Sequence, residues 1–227
     1  MELVELPLFP LGSVLFPGFA VQLHVFEDRY KTMIADCLAG AERFGIVGIE
    51  RGIEVGGDAV PYRVGTLARI TQLERLPGGR FFLVAAGLER FEVLEFDPDG
   101  KPYLRARVRL WPDDPAPAPD PATAAQAGAL LNEYLGELVA ATGNQAEDWG
   151  LRLPLPLPDD AGLLSLLIAA LVQVPLPAKQ ALLAAPAPAA RLALEIDYIA
   201  RELALMRSTQ AAPTGNAATL RGSFSDN

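Results

Sequence analysis

Apolar and polar side chains alternate in short runs over the first 110 residues, and this period of two predicts strands. In the run 19–25, Val21, Leu23 and Val25 share one face, while Gln22 lies on the other. Several short strands at this spacing favour a small barrel or sandwich. The predicted strands are 19–25, 44–50, 65–76, 81–96 and 103–111, with a hairpin turn at 77–79.

One helix is predicted to interrupt the strands. The segment 27–40 places Tyr30, Ile34, Cys37 and Leu38 along one stripe, which is the spacing of a helix with one buried face. Acidic residues stand in its first turn and a glycine follows its last turn, as is typical of helix ends.

A proline-rich segment, 111–125, separates the strands from a second half with helical periodicity. Its prolines remove amide donors and stiffen the chain toward polyproline II, which is typical of a spacer. We therefore predict a β-rich subdomain over 1–110 and a helical subdomain over 126–207. The small, polar residues 208–227 are predicted to form a disordered tail. The fold class that follows is α+β.

The helical half shows three apolar patterns. A stripe of leucines and one tyrosine around 131–138 predicts a first helix, and the strongly apolar run 163–172 predicts a buried one. The last helix repeats apolar residues at spacings of four and three. Two heptads are too few for a coiled coil, so we expect this seam to pack on 163–172. The seam consists of Leu192, Ile196, Ile199, Leu203 and Met206.

Composition narrows the class of protein. Half of the 227 residues are apolar, which suffices for a core, and the single cysteine rules out an intramolecular disulfide. No secretory signal is recognised, and the longest apolar run, 162–177, is shorter than a membrane span. We therefore expect a cytoplasmic protein without membrane contact. The net charge of −9 argues against DNA as a partner and disfavours RNA.

Candidate chemistry is sparse. The only histidine, His24, has no partner for a metal cluster and no nucleophile motif beside it, and Cys37 lies on an apolar stripe. The glycine-rich run 49–58 lacks the Gly-Lys-Ser/Thr ending of a phosphate loop. We predict no catalytic, metal-binding or cofactor-binding residue. Two acidic pairs are interpreted structurally, Asp113-Asp114 as spacer and Asp159-Asp160 as a helix cap.

The junction between the first predicted strand and the helix is the candidate binding site. A strand ending directly in a helix places its side chains rigidly yet leaves them accessible to solvent. Two interpretations stay open here: capping and dipole compensation of the helix, or contact with a polypeptide. The candidate residues are Phe26, Glu27, Asp28, Arg29 and Tyr30.

The order of motifs resembles the N-terminal domain of the ATP-dependent protease Lon. The matching runs are LPLFPLGSVLFPG, LHVFEDRY, FGIVG, VGTLARI and GLERFEVLE, within a resemblance that covers about 3–207. It implies a PUA-like pseudo-barrel of strands with an inserted helix, followed by helices. Family members often carry proline where this chain has Asp28. The chain ends before the ATPase and Ser–Lys peptidase modules of Lon, so it resembles a free-standing N-terminal domain.

The resemblance implies a non-catalytic module that recognises polypeptides, either unfolded segments or a partner protein, with weak self-association as a further possibility. In Lon this region is associated with substrate recognition and ring assembly. Two alternatives remain. PUA-like barrels elsewhere bind RNA, for which the outward-facing Arg105, Arg107 and Arg109 are the support. A hydrolase with an unrecognised site is disfavoured by the shortage of histidine, cysteine and lysine.

Overall fold

The computed structural model describes residues 3–56, 59–97, 100–114, 118–141 and 153–211. These residues form a sheet of six strands and five α-helices, which confirms the predicted α+β fold class. The strands are β1 (Leu3–Leu11), β2 (Ala20–Val25), β3 (Arg43–Arg51), β4 (Val60–Leu76), β5 (Arg80–Asp97) and β6 (Arg105–Leu110). The helices are α1 (Asp28–Leu38), α2 (Pro121–Ala141), α3 (Ala161–Leu171), α4 (Leu176–Ala184) and α5 (Pro188–Ala211).

The sheet closes on itself as a pseudo-barrel. Its strand order is β2-β5-β4-β3-β1-β6, and β5 pairs in addition with β6. This closure is possible because β5, with 18 residues, pairs with β2 along its first half and with β6 along its second half. Register shifts in the β4–β5 ladder, after Thr66 and after Ile70, mark β-bulges of the kind that bend strands. The predicted hairpin turn at Pro77–Gly79 is confirmed.

β1 is a strand in spite of its two prolines. Its first half pairs antiparallel with β6, from Leu3 to Pro7, and its second half pairs parallel with β3, from Leu8 to Leu11. Each half thus pairs on one side, which is a setting in which a proline without an N–H group is tolerated. The proline-broken opening of the chain is therefore part of the barrel wall.

α1 packs its apolar stripe into the barrel core. Tyr30, Met33, Ile34 and Cys37 are buried there beside residues of β1, β2 and β3. The predicted stripe is confirmed, with Met33 as an additional member and Leu38 only half-buried. The packing fixes the start of α1, and hence the junction that precedes it, against a rigid barrel.

The later helices share a second core. α5 packs against α2, α3 and α4, so the expected contact with 163–172 is present, although α2 is the more extensive partner. Leu192, Ile199 and Leu203 of the predicted seam are buried, whereas Ile196 and Met206 are half-buried. The predicted cap is also present, since the Asp160 side chain accepts a hydrogen bond of 2.7 Å from the Leu163 amide. Within the described ranges, no helix combines the length and the apolar character that crossing a membrane requires.

Several element boundaries differ from the expected ones, and β4 begins at Val60 rather than at residue 65. α2 begins at Pro121, inside the predicted spacer 111–125, because proline suits a first helical turn and the Asp120 side chain accepts from the Thr123 amide. α5 continues to Ala211, so the first four residues of the predicted tail are helical; residues 212–227 lie outside the described part of the chain. The division into two subdomains stays a prediction.

The barrel and the helices are in direct contact. α4 packs against β3 and β4, where the Gln180 side chain donates a 2.9 Å hydrogen bond to the Val64 carbonyl. Phe16, from the segment between β1 and β2, is buried among residues of the helical core. These contacts hold the helical half against one side of the barrel.

Candidate functional site

The junction between β2 and α1 presents one aromatic side chain to solvent and buries another. Phe26 is 49% exposed, directly after Val25, which is buried in the barrel core. Tyr30 is only 4% exposed and stacks on Phe9 with ring centroids 4.2 Å apart. Phe26 is therefore available for contact with a partner, whereas the ring of Tyr30 supports the fold.

The two central charges of the junction pair with each other. Arg29 and Glu27 form an ion pair of 3.0 Å, with both side chains about four-fifths buried. The Arg29 guanidinium also lies over the Tyr30 ring, 4.5 Å from its centroid. A further hydrogen bond runs from Arg29 to the Glu54 carbonyl at 3.3 Å. The guanidinium is thus held in place by three neighbours and is not a freely moving surface cation.

The interpretation that these residues cap α1 agrees with the structure in part. Glu27 is the N-cap residue of α1, but its side chain makes no capping hydrogen bond, and the cap is formed by its carbonyl oxygen. Asp28 is fully exposed and pairs with Lys31 at 2.6 Å, which lowers the pKa of the Asp28 carboxyl. Asp28 therefore stabilises the first turn of α1 through its ion pair with Lys31, while the Glu27 side chain pairs with Arg29 and does not cap the helix.

A loop beside the junction adds apolar surface that sequence reasoning missed. Ile53 and Val55 are 67% and 53% exposed. Glu54 between them is anchored on both sides, since its carboxylate accepts from the Gly12 amide at 2.8 Å and its carbonyl accepts from Arg29. In the sequence, this loop belongs to the glycine-rich run 49–58, which was considered only as a phosphate loop. The two apolar residues that stand alone in this run were the sequence signal for an exposed apolar surface.

The other sequence candidates have structural surroundings. His24 is exposed on β2, and Cys37 is buried, with its thiol donating to the Arg43 carbonyl. Burial raises the pKa of the Cys37 thiol to about 11, so it is not a nucleophile near neutral pH. Among the described residues, no three histidine, cysteine or carboxylate side chains come together as a metal-binding group.

The arginine stripe on β6 is matched by carboxylates. Arg105 pairs with Glu5 of β1 at 2.8 Å, and Arg107 pairs with Glu95 of β5 at 2.6 Å. Arg109 pairs with Glu92 of β5. Each guanidinium therefore faces a neutralising partner on an adjacent strand, which removes the excess positive charge that phosphate binding would need.

Asp113, interpreted from sequence as part of the spacer, is the acceptor of a buried arginine pair. Arg90 of β5 and Arg191 of α5 are 2% and 0% exposed, and both donate to the Asp113 carboxylate, Arg191 at 2.6 Å. Arg90 also donates to the carbonyls of Leu183 and Ala185 at the C-terminal end of α4, at 2.8 and 2.6 Å. Burial lowers the pKa of Arg90 to about 10, against the opposing effect of Asp113. This cluster joins the barrel, the spacer and the helices.

A second buried titratable residue lies on α5. Glu195 is 0% exposed, and neither of its carboxylate oxygens has a hydrogen-bond partner. Loss of solvent raises its pKa to about 9, although Arg191 and Lys179 act in the opposite direction. Lys179 donates to the carbonyls of Ala169 and Ala170 at the end of α3. Glu195 is therefore held neutral inside the helical core.

Comparison with known proteins places these features in context. The family model of the ATP-dependent protease La (LON) substrate-binding domain matches residues 5–201. A Lon protease of Anaeromyxobacter dehalogenans is 32% identical over 210 residues, which are 89% of this chain and 24% of that protein. A LON peptidase N-terminal domain and RING finger protein of Schizosaccharomyces pombe is 30% identical over 171 residues, which are 68% of this chain and 35% of that protein.

A solved structure shows the same architecture. The crystal structure of a Lon N-terminal domain protein from Xanthomonas campestris superposes with a TM-score of 0.61 at 27% identity. The superposition covers 84% of this chain and 95% of that one. The chain therefore matches nearly the whole of a solved N-terminal domain, but spans about a quarter of the length of the Lon protease.

Proposed function

The chain belongs to the family of LON substrate-binding domains, and from this premise we propose that it is a non-catalytic module that binds polypeptides. The proposed ligands are unfolded segments or an extended part of a partner protein. The S. pombe relative, named for a RING finger as well as for a LON domain, is consistent with use of this domain beside other modules. The proposed compartment is the cytoplasm, where the single thiol of Cys37 stays reduced.

The observation that carries the proposal is the exposed apolar surface at a rigid junction. Phe26, Ile53 and Val55 are each about half exposed or more, and they stand beside the held pair of Glu27 and Arg29. Aromatic and arginine side chains on a rigid frame are favoured anchors of interfaces. Few anchors of this kind give a small transient interface, for which we expect a Kd on the order of micromolar or weaker.

Replacing Glu27 and Arg29 together by alanine is expected to weaken binding of an unfolded protein by about 1 kcal/mol or more. Phe26→Ala is expected to act in the same direction, since it removes the exposed ring. The double change removes both members of an ion pair and leaves no lone charge, so we expect only a small change of the Tm, from loss of the Arg29 contacts with the Tyr30 ring and the Glu54 carbonyl. Binding is measured by fluorescence anisotropy with labelled, reduced and carboxymethylated lactalbumin.

Leu94→Ala is the matched control for Phe26→Ala. Leu94 is 40% exposed on β5, far along that strand from the residues that pair with β2. Its loss should leave the affinity unchanged. Normal binding by both junction variants would show that this is not the site. Unfolding of the double variant would instead favour the interpretation that the charges serve the helix start.

The purified protein is expected neither to hydrolyse ATP nor to cleave casein. Its sequence contains no Gly-Lys-Ser/Thr phosphate loop, and its lysines at 31, 101 and 179 are used otherwise: Lys31 and Lys101 pair with carboxylates, and Lys179 donates to helix carbonyls. Phosphate release and release of labelled casein fragments are the measurements. Turnover that follows the protein peak through a second purification would contradict the proposal.

A further inference from the structure

β2 pairs with a single strand. All six of its residues lie opposite β5, from Ala20 against Ala86 to Val25 against Phe81, without a register shift. Strand order places β2 at the end of the sheet, outside the ring that β5–β6 pairing closes. The side of β2 that faces away from β5 is paired with no strand among the described residues.

The ladder geometry identifies which backbone groups point to that free side. The Gly87 amide donates to the Phe19 carbonyl at 2.7 Å, directly before the first paired residue of β2. In an antiparallel ladder, residues alternate between groups that bond to the partner strand and groups that point away from it. Continuing from Phe19, the N–H and C=O groups of Val21, Leu23 and Val25 face β5.

The alternate residues, Ala20, Gln22 and His24, therefore turn three N–H and three C=O groups outward. All three residues are exposed, and within the described chain no other segment hydrogen-bonds to these groups. Unpaired edge groups are a template for another strand.

The edge lacks three of the devices that usually prevent such pairing. Natural edge strands are commonly protected by lysine or other charges, by proline or by a bulge. The sequence of β2, AVQLHV, has no formally charged residue and no proline, and its ladder with β5 has no bulge. Its valines favour extended backbone. In a chain with net charge −9, such a regular and uncharged edge is a candidate site for pairing with another strand.

We propose that the free edge of β2 binds an extended polypeptide segment as an added strand, through main-chain hydrogen bonds to Ala20, Gln22 and His24. The added strand would run toward the candidate site, because Phe26 follows β2 directly and its ring lies 5.9 Å from that of His24. Phe82, opposite His24 on β5 and 37% exposed, adds apolar surface on the same outer face.

This inference rests on the proposed function and specifies its ligand class. Main-chain recognition is tolerant of sequence, and the neighbouring rings favour apolar side chains at alternate positions. The occupant is thus an unfolded or extended segment with alternating apolar residues. A helix, or a folded surface without a free strand edge, could not supply the unpaired backbone groups.

The test uses a fluorescein-labelled ten-residue peptide of alternating valine and threonine with a lysine at each end. Gln22→Pro removes an outward N–H group without removing a hydrogen bond to β5, and it should weaken binding at least tenfold. Gln22→Val changes the same side chain but keeps the N–H group, and its affinity should stay within twofold of the wild type. Circular dichroism and the Tm establish that each variant is folded.

A second probe makes the test independent of the proline variant. In the second probe, the same peptide is N-methylated at two consecutive central amides. Because consecutive N–H groups of a strand point to opposite sides, neither edge of this peptide can pair normally, and it should bind the unchanged protein at least tenfold more weakly. In addition, saturation with the unmodified peptide should slow hydrogen exchange of the Gln22 and His24 amides, measured by NMR. The amides of Leu23 and Val25, already bonded to β5, should change little.

The outcomes separate the edge from the general function. Equal affinity for methylated and unmodified peptide, or unchanged exchange at Gln22 and His24, overturns the edge proposal. So does a dimer of the free protein in sedimentation that already protects these amides, because a second copy would then be the occupant. If the protein still binds carboxymethylated lactalbumin in these cases, the proposed function stands without the edge. If it binds neither probe, both proposals fail.

Discussion

Replacing Asp113 by asparagine is expected to lower the free energy of unfolding by about 3–5 kcal/mol. The substitution keeps the shape of the side chain but removes the negative charge between Arg90 and Arg191, which are almost completely buried. Two guanidinium groups would then be left in a low dielectric without a counter-charge. Urea unfolding followed by circular dichroism measures the change.

Asp159→Asn is the control for this variant. Asp159 is also an aspartate in a proline-containing segment, but it is exposed, and no ion pair or hydrogen bond of its side chain is found in the described chain. Its change should stay within about 0.5 kcal/mol of the wild type. A loss below 1 kcal/mol for Asp113→Asn would mean that solvent, which reaches a quarter of the Asp113 side chain, compensates the arginines.

Glu195→Gln is expected to stabilise the protein near neutral pH and to flatten the dependence of its stability on pH. The Glu195 carboxyl has a pKa of about 9 in the folded protein, compared with 4.5 for an unperturbed glutamate. Between these values the unfolded chain releases a proton that the folded chain keeps, so the wild type loses stability as pH rises. Glutamine has no proton to release. From pH 5 to pH 8 we expect the wild type to lose about 2–4 kcal/mol relative to the variant.

The free energy of unfolding is measured by urea titrations at a series of pH values from 5 to 8, and the series stops at pH 8 because Lys179 titrates above it. Burial lowers the pKa of Lys179 to about 8, so above that pH its own titration raises stability and opposes the effect of Glu195. Glu74→Gln, an exposed change on β4, is the control and should run parallel to the wild type. Parallel curves for Glu195→Gln and the wild type would contradict a neutral Glu195.

Strands and helices with a clear period could be predicted from the sequence. Alternation located β2 and β6, and the turn at 77–79 located β4 and β5 as a hairpin. The stripe of Tyr30 and Ile34 located α1. β1 was not predicted, because proline normally argues against a strand inside a sheet. Its division between two partner strands, which makes Pro7 and Pro10 acceptable, is a property of barrel closure and not of local sequence.

The buried charges could not be predicted for a similar reason. Asp113 follows a tryptophan and a proline at the start of a proline-rich run, which is the composition of a solvated spacer. The two buried arginines that donate to it, Arg90 and Arg191, lie 23 and 78 residues away along the chain. Glu195 lies three residues after Leu192 and four before Ile199, so helical spacing places it on the buried stripe of α5, unlike the exposed Asp197. The sequence does not show that its carboxylate is left without a hydrogen-bond partner there.

The candidate site was predictable in its position and less so in its side chains. The sequence located a strand-to-helix junction with charged and aromatic residues, and the structure describes that junction at 25–28. Which ring is exposed depends on the barrel core, where Phe9 covers Tyr30. The polypeptide-binding role of Phe26, Glu27, Asp28, Arg29 and Tyr30 stays a prediction.

The pairing of β1 also constrains the order in which the chain can assemble during synthesis. Leu3 lies opposite Arg109, so the start of β1 has no β6 neighbour until more than a hundred further residues have left the ribosome. Pairing with β3 is available earlier, but it engages only the second half of β1. The Arg90 guanidinium likewise depends on carbonyls at 183 and 185, which are synthesised 93 and 95 residues after it. The barrel therefore cannot mature strand by strand, and its final packing belongs to a late, concerted step of folding.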